Sequence, residues 1–90
     1  MIEEFYIGDK VRVIWVLRKQ QKKLIDIIIG SERQQTLLTV GMVLPISEID
    51  SAGHIIYIFG DGESDKVIFK KTQVVLHKRP FRNWLKNIFS

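Results

Sequence analysis

Apolar and polar positions alternate from Lys10 to Leu17, with Val11, Val13, Trp15 and Leu17 on one side and Lys10, Arg12, Ile14 and Val16 on the other. A period of two predicts a strand. The second side turns apolar at Ile14 and Val16. The polar run Arg18–Lys23 predicts a loop, and the β-branched run Leu24–Ile29 a second strand. Gly30 to Gln35 reads as a turn or short irregular loop. Thr36 to Ile46 predicts a long extended segment, bent at Gly41, with Pro45 marking an edge position. Asp50-Ser51-Ala52-Gly53 predicts a hairpin turn before a strand over Ile55–Phe59. Gly60 to Asp65 turns the chain into Lys66–Phe69, Lys70–Gln73 reads as one tight helical turn, and Val74–Leu76 as the last strand. Alternation within these strands predicts a core of Val11, Val13, Trp15, Ile27, Val43, Tyr57, Phe59, Phe69 and Leu76.

Beyond Pro80 the period changes. Phe81, Trp84, Leu85, Ile88 and Phe89 follow helical spacing, with Arg82 and Lys86 on the other side. This predicts a short amphipathic helix over about 80–89, with proline suited to its first turn. So short a helix does not hold alone in water, and its five apolar residues are expected to be buried against protein, in the same chain first or in a partner, with a membrane surface as the least favoured cover. Paired apolar faces at Ile14 and Val16, Leu38 and Val40, and Ile56 and Ile58 exceed what one small interior absorbs. They point to protein contact or self-association.

Ninety residues make one domain. Short strands with frequent turn signals predict a mainly β fold, a partly open barrel of about five or six strands over about 5–78. Ile7-Gly8-Asp9-x-Val11-x-Val13, Gly41-x-Val43, Asp50-Ser51-Ala52-Gly53 with Tyr57-x-Phe59-x-Asp61-Gly62, and Val74-Val75-Leu76 carry a resemblance to SH3-like small barrels, including KOW-type and related phage or plasmid domains. The resemblance implies a barrel of a kind that binds peptides, proteins or nucleic acid and seldom does chemistry. The segment Leu17–Thr39 is longer than a compact KOW unit has, so no nucleic-acid contacts are carried over.

Charge adds a second reading. The net charge is +4, and it is segregated: Lys10–Lys23 holds six basic residues and no acid, Glu48–Asp65 five acids and no Lys or Arg, and Lys66–Ser90 seven basic residues and no acid. Such blocks steer an anionic partner. Arg12, Arg18, Lys19, Lys22, Lys23, Lys70 and Lys71 are the candidate nucleic-acid contacts, within basic segments 10–23 and 66–86. Lysine predominates, which suits phosphate attraction more than base reading. The absence of cysteine fits a reducing compartment. The acidic start Met1-Ile2-Glu3-Glu4 lacks signal-peptide character, and no apolar run approaches the roughly 20 residues a membrane span needs. A cytoplasmic protein is expected, without membrane contact, and the Ile- and Lys-rich composition suits an AT-rich bacterial or phage genome.

Candidate chemistry is sparse. Asp61, Glu63 and Asp65 alternate like the start of a calcium loop, but Lys66 and Thr72 stand where that loop needs glycine and glutamate. His54 and His77 have no ligand-spaced companion, and no serine sits in a nucleophile elbow. No catalytic site, metal or cofactor is expected. The sequence therefore predicts a non-catalytic binding or assembly module, with nucleic-acid binding as the alternative and an enzyme without recognisable motif as the third reading.

Overall fold

A computed structural model describes residues 4–81 and 83. Eight strands run in chain order among them: β1 (Lys10–Val13), β2 (Leu24–Ile29), β3 (Glu32–Leu37), β4 (Val43–Pro45), β5 (Glu48–Ile49), β6 (Ile55–Ile58), β7 (Lys66–Phe69) and β8 (Val74–Lys78). A 3-10 turn over Lys71–Gln73 links β7 to β8 and is the only complete helical element among the described residues.

The strands form three open sheets, ordered β4-β1-β8, β2-β3 and β5-β6-β7, with all pairings antiparallel. The expected barrel of five or six strands is therefore corrected. Two local causes account for this. The segment expected to be a loop from Gly30 is a hairpin: Ile29 pairs with Glu32 across Gly30-Ser31, and the six residues of β2 pair in register with all of β3. Gly30 has φ +66°, as the first of two connecting residues in a II′ turn requires. The polar strand β3 thus spends its ladder on β2 alone. Between β4 and β5, the chain then leaves one sheet for another through Ile46-Ser47. Ile46 N–H donates to the Asp9 carbonyl at 2.8 Å and Ser47 N–H to the Ile56 carbonyl at 2.9 Å. Pro45 sits on β4, an edge strand, where its missing donor costs nothing.

The core joins Val11 and Val13 of β1, Ile25 of β2, Leu38, Leu44, Ile46, Ile55 and Tyr57 of β6, Val67, Phe69 and Val74, with Ile27 and Phe59 packed against it. Val43 and Trp15, both expected inside, are 38% exposed. Val43 is out of phase by one residue: Val11 faces Leu44 across the ladder, so Leu44 takes the inward position. Trp15 lies beyond the end of β1, where the ladder has stopped, and its Nε1 donates to the Thr72 carbonyl at 2.8 Å. Leu76 is half-buried. Phe81 is 75% exposed, contrary to its expected burial. Trp84, Leu85, Ile88 and Phe89, and with them nearly all of the expected helix, lie outside the described residues.

Candidate functional site

Two surfaces and two buried polar networks define what the domain can offer. The first network organises the loop after β1. Gln20 Oε1 accepts from Leu17 N–H at 2.9 Å and from Gln73 Nε2 at 2.8 Å, and Gln20 Nε2 donates to the Ile68 carbonyl at 2.8 Å. Gln73 Nε2 also donates to the Trp15 carbonyl at 3.2 Å, and its Oε1 accepts from Lys70 N–H at 2.9 Å. Two buried amides thereby fasten the loop to β7 and the 3-10 turn. No buried side-chain polar atom among the described residues is without a partner.

The loop fixed in this way forms one wall of an open groove of about 490 Å³. Lys19 and Lys23 come from the loop, Lys66 from the start of β7 and Lys70 from the residue that follows it; His54 and Glu63 complete the charged and titratable lining. Lys23 Nζ donates to the Ser64 carbonyl at 3.0 Å. His54 Nδ1 lies 3.0 Å from Asp50 Oδ2, and its N–H donates to Asp50 Oδ1 at 2.8 Å. That backbone hydrogen bond is the main reason the Asp50 carboxyl is held below its ordinary pKa, with desolvation opposing it.

The second surface lies along the β2–β3 hairpin. Ile28 is 72% exposed, and nearby Val43 and Ile58 are exposed as well; Leu24 and Leu37, paired at the other end of the hairpin, and Ile29, on its opposite face, are exposed apart from them. Ile28, Pro45 and Tyr57 border two adjoining clefts of about 350 and 530 Å³. Asp26, Arg33 and Asp61 line the first, and Lys10 the second. The Tyr57 hydroxyl donates to the Asp26 carbonyl at 2.6 Å, pinning β6 to the hairpin. Burial raises the Tyr57 pKa, the Asp26 charge adds to the rise, and Arg33 opposes it.

The other network closes the N-terminal turn. Asp9 is fully buried and accepts from Tyr6 N–H at 3.0 Å, from Arg79 Nε and Nη2 at 3.2 and 3.1 Å, and from Asn83 Nδ2 at 2.7 Å. Arg79 Nη2 also donates to the Glu4 carbonyl at 2.7 Å, and its guanidinium lies 5.1 Å from the Tyr6 ring centre. Each partner is satisfied by another, which makes this a structural clasp and not a ligand site.

Of the seven basic residues singled out in the sequence, the structure gathers Lys19, Lys23 and Lys70 into the groove. Arg12 is exposed on β1, Arg18 and Lys22 are exposed on the loop outside the groove lining, and Lys71 lies beside Glu4 and Tyr6. Lys66, the first residue of the basic segment 66–86, joins the groove lining, and so does His54, which was not singled out for this surface. Asp61, Glu63 and Asp65 do not converge, and no group of three or more potential metal-binding side chains occurs among the described residues. No helix among them is long and apolar enough to cross a membrane. No protein-family model, no curated protein and no solved structure matches the chain.

Proposed function

We propose that the domain is a non-catalytic assembly module whose hairpin face receives a second copy of the chain. The reading is supported above all by Ile28, 72% exposed between two clefts, with exposed Ile58 lining one and exposed Val43 the other. An exposed cluster of large apolar side chains around one hairpin strand is a surface that contact with protein would stabilise. The charges favour a copy over a foreign partner. Asp61 and Asp26 outnumber Arg33 in one cleft, leaving it acidic, and Lys10 lines the other. A twofold axis sets such a surface against itself with opposite ends facing, which brings Lys10 of one copy towards Asp61 of the other. The same reading keeps the domain in the cytoplasm, as its sequence leads one to expect.

Light scattering over a concentration series tests this. Wild-type protein is expected to dimerise, Ile28→Glu to be monomeric, and Lys10→Asp or Asp61→Lys alone to weaken the dimer. The Lys10→Asp/Asp61→Lys double variant should regain it. A wild type that stays monomeric at millimolar concentration, or a double variant weaker than either single one, overturns the reading.

A further inference from the structure

The lysine-lined groove is separate from the hairpin face, and its chemistry is different. Lys19 and Lys23 lie more than forty residues before Lys66 and Lys70 in sequence, yet all four line one concavity. Glu63 is the one carboxylate among its lining residues, and His54 already faces Asp50. The imbalance is therefore strongly cationic. The walls are held in place before any ligand arrives, because Gln20 and Gln73 tie the loop to Ile68 and to the backbone of Lys70. Lys23 is steadied by its bond to the Ser64 carbonyl and retains N–H groups for an anion. The remaining lining includes Leu17, Val67 and Ile68, with Ile68 exposed. Cations on flexible stems are thus combined with a small aliphatic floor, presented by Ile68 and the half-buried Leu17 over buried Val67.

We infer that this groove binds the phosphodiester backbone of single-stranded nucleic acid. Ammonium groups neutralise successive phosphates without the bidentate geometry that reads bases. An aliphatic floor beneath them accepts the face of an unpaired base, whatever its identity. A duplex presents a convex rod with its bases already stacked, and so leaves that floor unused. A cationic groove that follows a single strand is a recurrent solution to this problem.

The test is fluorescence anisotropy with labelled oligothymidylate across a salt series, beside duplex DNA, polyglutamate and inorganic phosphate as competitors. Four neutralised phosphates give a slope of log affinity against log salt of about −3. The variant Lys19→Gln/Lys23→Gln/Lys66→Gln/Lys70→Gln should bind at least about tenfold more weakly and lose most of that slope. The pairwise variants Lys19→Gln/Lys23→Gln and Lys66→Gln/Lys70→Gln should each lose about half of it. They keep the question answerable if circular dichroism shows that the fourfold variant is misfolded. A control matched in charge to the pairwise variants, Arg12→Gln/Lys78→Gln, lies outside both surfaces and should bind within about threefold of wild type. Equal loss in the control would reduce the effect to net charge and overturn the proposal. So would absence of oligonucleotide binding at low salt, tighter binding of duplex, or displacement of the oligonucleotide by equimolar polyglutamate or phosphate.

Discussion

Asp9 shows how much one side chain can carry. Its carboxylate is fully buried, and its charge is matched by Arg79 at 3.1 Å. Removing one member of such a pair strands the other in a medium that solvates it poorly. Asp9→Ala is expected to cost about 3–5 kcal/mol in urea unfolding, a large share of the total for a domain of this size. Asp9→Ala/Arg79→Ala should cost less than the sum of the single changes. None of this was legible beforehand, because Gly8-Asp9 reads as an ordinary turn and its partner stands seventy residues away. Asp50 gives a pH-dependent counterpart. Its carboxyl ionises more readily in the folded protein, chiefly because His54 N–H donates to it. The resulting stabilisation is present above the unfolded value of about 4 and is lost as pH falls through the lowered one. Asp50→Asn should therefore flatten the fall of melting temperature below about pH 4, as followed by calorimetry.

At the scale of elements, the strands were readable where apolar residues alternate or cluster. Leu24–Ile29 and Lys66–Phe69 form as expected, and the turn at Lys70–Gln73 appears as the 3-10 turn Lys71–Gln73. β3 was missed because Glu-Arg-Gln-Gln has no apolar pattern; its pairing comes from the Gly30-Ser31 turn and from β2 across the ladder. A methyl group added at Gly30 would meet only open space, so the cost of substitution there comes from the backbone angle alone. Gly30→Ala should cost about 1–2 kcal/mol, while D-alanine, introduced by chemical synthesis, should cost nothing or stabilise. Equal effects of the two would show that the turn does not depend on left-handed backbone. The groove wall has its own weak point. Gln73→Leu leaves the Trp15 carbonyl and the Gln20 amide oxygen short of a donor, at about 1–3 kcal/mol, and hydrogen exchange over Leu17–Lys23 should accelerate.

For the whole molecule, the mainly β class was legible, and the closure of the sheet was not. Counting strands does not say which edges meet, and here three open sheets share one core. The charge blocks were likewise visible along the chain, but which lysines converge depended on β7 returning beside the loop. Phase errors of one residue, as at Val43, moved single side chains without changing the class.

The clasp at Asp9 also bears on the order of events during synthesis. β1 takes both of its sheet neighbours from later in the chain, β4 and β8, and Asp9 must wait for Arg79. As the polypeptide leaves the ribosome, the β2–β3 hairpin has all its partners at hand while the first strand has none. Contacts of such long sequence separation form late and slowly. The nascent chain therefore carries a solvated Asp9 carboxylate until Arg79 and Asn83, which lie 70 and 74 residues further on, emerge to bury it.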